Sequence, residues 1–299
     1  MIMAGRGAIH ISNPGMEKFS VRYLLRLFLS LIFIFSALRR HFSSCSLIYS
    51  SCNLFYLSFF ADFHGECDLV LGDAPSFANG LGLAVHVRTT IRFDYSYIES
   101  AVIQIGKETF QLSSWGEYFL NSVNSAEMPA NATISGYSIT HKLDTKKKHI
   151  YSIQLSQASK IDFIVFKDLV RVDWDICESD ASDFVDMLGL LGPFGNGTHL
   201  ARDGTTVLKD PKEYGREWQV RSDMDPLLFD ELRPPQYPAK CIMPDLEFQT
   251  SSLRRRLASG ISADQASAAC GHVVEERMHA MCVSDVLATQ DLSVAEGAY

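Results

Sequence analysis

Gly189-Leu-Leu-Gly-Pro-Phe-Gly-Asn-Gly-Thr-His-Leu-Ala-Arg-Asp-Gly-Thr-Thr-Val-Leu-Lys-Asp-Pro-Lys-Glu-Tyr-Gly-Arg-Glu-Trp-Gln-Val220 is the stretch that fixes how the rest of the chain is read. Its six glycines and two prolines cut it into tight turns, whereas Leu190, Leu191, Phe194, Tyr214 and Trp218 are apolar anchors that turns alone do not need. This mixture predicts a compact, ordered loop that closes a β domain, with Tyr214 and Trp218 buried as anchors of a final strand and the turn before it.

The segments ahead of the loop have the period of strands. Asn79 and Gly80 signal a turn in front of Leu81, Leu83, Val85 and Val87, which alternate with Gly82, Ala84, His86 and Arg88. That pattern predicts a strand with one buried face and one exposed face. Ala101, Ile103 and Ile105 lead through Gly106 to Phe110 and Leu112, which reads as a β-hairpin. Further strands are expected at residues 118–120, 134–140, 150–155, 161–166 and 169–174. Short strands at this spacing predict a mainly β fold, a sandwich of antiparallel strands. After Val220, Pro226, Pro234, Pro235, Pro238 and Pro244 surround Cys241 without a hydrophobic period, as in an extended connector lying on the domain. Ser262 and Gln265 form a capping box before Ala266, Ala269 and Cys270, and residues 274–288 carry Met278, Met281, Cys282 and Val286 on one helical face. The expected organisation is a leader over residues 1–61, a β domain over 62–245 and a small helical, cysteine-bearing segment over 246–299.

The leader differs in character from the other two segments. Arg6, Lys18, Arg22 and Arg26 precede an apolar run over residues 27–38 that Arg39 and Arg40 close. Its length suits a secretory signal or signal-anchor and falls short of the roughly 20 residues that span a bilayer. Extended over residues 23–38 it becomes a membrane tether if Arg26 snorkels. A buried helix of the mature fold and a spurious leader stay open, and residues 42–60 show no readable period.

Composition narrows the function classes. The 299 residues are 47% hydrophobic, enough for a real core. A net charge of −8 argues against a nucleic-acid partner, which needs a concentrated Lys/Arg surface. Two basic runs, Lys146 to Lys148 and Arg254 to Arg256, read as solvated faces rather than polyanion sites. Seven cysteines fit no close-spaced zinc pattern and point to an oxidising compartment.

No catalytic set emerges: the chain has no Gly-x-Ser-x-Gly elbow, phosphate loop or His-Glu-x-x-His helix. Cys270, His272, His279 and Cys282 supply the donors of a structural zinc site, but their irregular spacing suits a Cys270–Cys282 disulfide better. Asp173 and Asp175 share one face of a strand, and Asp180, Asp183 and Asp186 open a loop or short helix; both groups read as solvated or capping carboxylates. Asn131 and Asn196 stand in Asn-x-Thr triplets that accept N-glycans if the chain is exported.

The order of parts in the closing loop resembles the von Willebrand factor type D domain. In that family a Gly-Leu-Cys-Gly turn leads to Asp-Gly-Thr, then to a Glu/Asp-Phe/Tyr-Gly step and a Trp-x-Val strand. The matching residues are Gly189, Leu190, Gly192, Asp203, Gly204, Thr205, Glu213, Tyr214, Gly215, Trp218 and Val220. Phe63, Gly65, Cys67, Val70 and Leu71 match the family's first strand, and the helical tail resembles a reduced form of the cysteine-rich module that often follows it. At the end of the family's opening motif, Leu57 and Ser58 stand where Asp and Gly are expected. The resemblance implies a non-enzymatic extracellular module, secreted or anchored by one span, that meets extracellular proteins or matrix glycans. Lipid or hydrophobic-ligand carriage is the alternative, and a hydrolase the third reading. It further implies a Cys67–Cys241 disulfide, leaving Cys177 as a thiol and Cys45 and Cys52 undecided. Calcium is expected only weakly, through Asn196 and Asp203; no other cofactor is expected.

Overall fold

Pairing between sequence neighbours builds almost the whole molecule, because the connections are mostly too short to reach any other partner. The computed structural model describes residues 52–55, 66–92, 95–124, 127–167, 169–194, 198–229, 260–274 and 276–298. All of them belong to the unit Ser51–Tyr299. The strands are β1 (Cys52–Phe55), β2 (Asp68–Ala74), β3 (Leu83–Arg92), β4 (Tyr95–Ile105), β5 (Glu108–Ser113), β6 (Tyr118–Leu120), β7 (Val123–Asn124), β8 (Thr133–Ile134), β9 (Tyr137–Leu143), β10 (His149–Gln154), β11 (Lys160–Phe166) and β12 (Leu169–Cys177). One antiparallel sheet runs β2-β3-β4-β5-β6-β7 and the other β1-β12-β11-β10-β9-β8. The expected mainly β sandwich is the observed fold.

The core lies between the sheets. Leu83, Val85, Val87, Ala101, Ile103, Ile105, Phe110 and Leu112 from the first sheet meet Ile153, Ile161, Phe163, Val165, Val172, Trp174 and Ile176 from the second. Phe110 and Phe163 join the layers edge to face, with centroids 6.0 Å apart. In the segment expected as one strand over 134–140, Ile134 pairs with Tyr137 across Ser135 and Gly136, both at positive φ. That two-residue turn makes a hairpin of it.

Two other expectations change. The second face of β3 was expected in solvent, yet Ala84, His86 and Arg88 are buried. Leu228 and Phe229 lie over it: they cluster with Ala84 and Val102, and the Arg88 guanidinium sits 4.3 Å from the Phe229 ring centre. The sheet also begins earlier than residue 62, since β1 pairs with β12 and sets Cys52 directly across from Cys177.

Besides two short helical turns, Phe77–Gly80 and the 3-10 turn Glu178–Phe184, the described fold contains the helices α1 (Pro211–Glu217), α2 (Ala263–Ala269), α3 (Glu276–Thr289) and α4 (Ser293–Ala298). Ser262 and Gln265 make the expected reciprocal capping box at the start of α2. The Cys270–Cys282 disulfide, with Cα atoms 5.9 Å apart, ties α2 to α3. With both sulfurs so bonded, neither is a thiolate available to zinc. This helical segment docks on the strand ends. Lys167 pairs with Asp291, Tyr97 donates its hydroxyl to Asp285 at 3.1 Å, and Lys146 Nζ donates to the Glu296 carbonyl at 3.1 Å. Gly297 comes so close to Phe166 that an added Cβ would lie 2.2 Å from its ring.

Candidate functional site

The closing loop and β2 form one hydrogen-bonded unit. Leu188 and Asp73 exchange backbone bonds at 2.9 and 2.7 Å, and Leu190 and Leu191 donate to the Val70 and Leu71 carbonyls at 3.1 Å each. On the return, Val70 N donates to Trp218 O and Val220 N to Asp68 O, both at 2.8 Å. The first matched strand is therefore held between two parts of the stretch that begins some 120 residues later. Gly189 has φ +133°, and a Cβ there would fall 2.7 Å from the Leu71 carbonyl oxygen. A side chain cannot enter, which is why glycine occupies the crossing. Gly192 closes the turn by donating to Gly189 O.

Tyr214 and Trp218 are buried, as their spacing predicts. Tyr214 donates its hydroxyl to Gly189 O at 2.6 Å, and burial pushes the phenol well above its usual range. Trp218 Nε1 donates to Leu200 O at 3.0 Å. The expected turn containing Gly215 is instead helix α1, which opens on Pro211, where a missing N–H costs nothing. The Trp-x-Val strand is shorter than expected, a bridge of Gln219 to Leu69.

Asp203 has a local task. Its carboxylate accepts from the Thr205 and Thr206 amides, each at 2.8 Å, and from the Thr206 hydroxyl at 2.6 Å. These bonds, led by the Thr206 hydroxyl, hold its pKa at about 2. With both oxygens so engaged Asp203 shapes the turn around Gly204; the other calcium candidate, Asn196, lies outside the described residues. Among the described residues no cluster of three His, Cys, Asp or Glu could hold a metal ion.

Sequence reasoning missed Arg202, which organises the loop more than any residue it singled out. Its guanidinium donates to Glu217 O and Gln219 O, both at 2.8 Å, and pairs with both oxygens of Asp225 at 2.5 and 3.0 Å. It also lies 5.0 Å from the Trp218 ring centre. A five-donor fork suits this convergence of carbonyls and carboxylate, and no lysine could replace it. The only sequence signal was its position beside Asp203-Gly204-Thr205.

Next to this unit His86 is buried within electrostatic reach of Asp225, Asp68 and Arg202, which belong to the Arg88–Asp68 pair, bonded at 2.7 Å, and the Arg202–Asp225 pair. Burial lowers its pKa from the usual 6.5 to about 4, against the pull of Asp225 and Asp68. The folded value lies below the unfolded one, so between these pH values the unfolded chain binds the extra proton. Stability is then full above pH 6.5 and falls as pH drops toward 4, by up to about 3 kcal/mol. Chemical denaturation across that window should show the loss, and His86→Gln should remove most of it. Parallel profiles for the two proteins would contradict this assignment.

Two of the disulfide expectations need correction. Cys67 is present as a thiol and makes no Cys67–Cys241 bridge. Its backbone carries the β2–β3 ladder onward, donating to the Thr89 hydroxyl at 3.1 Å and accepting from Thr89 N at 2.9 Å. Cys241 lies outside the described residues. Cys177, expected as a thiol, is disulfide-bonded, so its sulfur approaches the Ala158 carbonyl at 3.1 Å with no proton to donate. Asn131 is exposed on a turn. Residues 23–38, Leu57 and Ser58 lie outside the described residues; among those described, no helix is long and apolar enough to cross a membrane.

Inward residues lock the loop to β2, while Val207, Met224 and Leu227 remain more than half exposed. No family model matches the chain, and no curated protein matches it.

Proposed function

We propose that this chain is an extracellular, non-enzymatic interaction module of the von Willebrand factor type D class, acting through its surface on extracellular proteins or matrix glycans. The observation that carries this reading is the joining of the two distant motif segments. Residues 67–71 and 189–220 resemble that family separately, and they meet on β2 through four backbone hydrogen bonds, Leu190 to Val70, Leu191 to Leu71, Val70 to Trp218 and Val220 to Asp68. Chance resemblances in two segments have no reason to converge on one strand. Disulfides at Cys270–Cys282 and at Cys177 support an oxidising compartment.

Retention on decellularised extracellular matrix tests the proposal. Labelled domain should bind saturably and be displaced by unlabelled domain. A domain that passes through unretained, yet turns over ester or glycoside substrates, would replace the module with a hydrolase.

A further inference from the structure

Residues 141–149, His-Lys-Leu-Asp-Thr-Lys-Lys-Lys-His, place four lysines and two histidines against one aspartate on a chain of net charge −8. They form the end of β9, a five-residue turn and the start of β10. Asp144 builds the turn: its carboxylate accepts from the Lys146 and Lys148 amides at 2.8 Å each, and its backbone bonds with Lys147 and Lys148. These amides hold its pKa below the usual carboxylate range. The one acidic group is thus occupied in shaping the loop that presents the lysines.

Three observations set this turn apart from an ordinary solvated one. First, Lys142, Lys146 and Lys147 are exposed, among the described residues no ion pair engages any of the four lysines, and Lys146 Nζ donates to a neutral partner, the Glu296 carbonyl. Second, Lys148 is partly buried, and burial followed by the Arg171 guanidinium pushes its ammonium below the usual lysine range, against the pull of the Asp144 and Asp173 carboxylates. Positive charge is crowded there, and the carboxylates offset it only in part. Third, Lys147 sits at φ +63°, where glycine or asparagine would be the unstrained choice. Flanking the turn, His141 Nε2 and His149 Nδ1 bond at 3.0 Å, and the His141 ring stacks on Tyr151 at 4.5 Å, which stiffens the base of the hairpin.

We infer that the β9–β10 hairpin is a docking site for a sulfated polysaccharide, through Lys142, Lys146, Lys147 and Lys148. The inference rests on the extracellular reading above and names the partner class for that surface. Three kinds of polyanion meet lysine clusters: nucleic acids, anionic lipid surfaces and sulfated glycans. Disulfide bonding places this chain where reducing agents are scarce, away from the nucleic acids and the anionic cytoplasmic leaflet. Sulfated glycans are the polyanion that remains, and charge attraction needs no concave pocket to recognise them.

The test uses the full-length chain and heparin as the probe. Wild type is expected to bind heparin with strongly salt-dependent affinity, and Lys146→Gln/Lys147→Asn/Lys148→Gln to weaken binding by about tenfold or more at physiological salt. Asparagine tolerates the positive φ at 147. Because Lys146→Gln gives up the bond to the Glu296 carbonyl, Lys147→Asn/Lys148→Gln is measured beside it; it should melt as wild type does and still bind heparin several-fold more weakly. Replacing Arg254, Arg255 and Arg256 with glutamine should change affinity less than about twofold. Lys147→Gly removes one charge while relieving the backbone, so it should melt higher and still bind about threefold more weakly, a combination that misfolding cannot produce. Heparin binding that is absent, insensitive to the lysine changes or dependent on the arginine run would overturn the site. So would tighter binding to duplex DNA or to phosphatidylserine vesicles. Any of these outcomes leaves the extracellular reading to be decided by matrix retention, whereas a chain that binds heparin but not matrix sinks that reading alone.

Discussion

Trp218→Ala is expected to lower the free energy of unfolding by about 3 to 5 kcal/mol, read as a reduced denaturation midpoint at constant slope. Trp218 is 3% exposed and belongs to the main core cluster, so truncation leaves a cavity beside β2. It also strands the Leu200 carbonyl that its indole N–H satisfies. Because Val70 N donates to the Trp218 carbonyl, a collapsing side chain would disturb the join between the closing loop and the sheet. A Trp218→Ala protein as stable as wild type would mean that the loop is not fastened in the way described.

Arg202→Ala should cost a similar amount, about 3 to 5 kcal/mol, since the Arg202 and Asp225 side chains are only 14% and 10% exposed and removal of one leaves a buried charge unpaired. Arg202→Lys should recover little of the loss, because an ammonium on a flexible stem cannot reach two carbonyls and both carboxylate oxygens together. The Arg202 guanidinium lies over Trp218, so the two alanine substitutions should not add: a double-mutant cycle should return a coupling of about 0.5 to 3 kcal/mol. Strict additivity would separate the two anchors and divide the loop into independent halves.

Much of this framework was legible where side-chain period and local chemistry agree. Strict alternation gave β3, and the Ile-x-Ile-Gly pattern gave the β4–β5 hairpin. Ser262 and Gln265 announced α2 through a two-residue exchange that needs no tertiary context. The inner anchors Tyr214 and Trp218 were legible because large aromatics in a glycine-rich stretch have few other uses.

What the sequence hid were contacts between distant segments. No local signal says that Leu228 and Phe229 will fold back over Ala84, which turns an expected wet face into a buried one. β1 has four residues and shows no period, so only its partner strand reveals it. Arg202 reads as one more polar loop residue until Glu217, Gln219 and Asp225 converge on it. The lysine turn was legible as composition but not as a site, since its character depends on Asp144 being drawn into the turn and on Arg171 arriving from another strand. Cys270–Cys282 was legible from spacing, whereas the expectation of Cys177 as a thiol failed for the same reason as the rest: the register that sets Cys52 across from Cys177 is a tertiary fact.

The measurement that tests the central claim most directly is a non-reducing peptide map of the chain expressed from Met1 onward in secretory cells. The account predicts product in the medium with Cys270 joined to Cys282, Cys177 in a disulfide, Cys67 alkylated as a thiol and a glycan on Asn131. Product confined to the cytosol, unglycosylated and with Cys270, Cys282 and Cys177 all reduced, would contradict it.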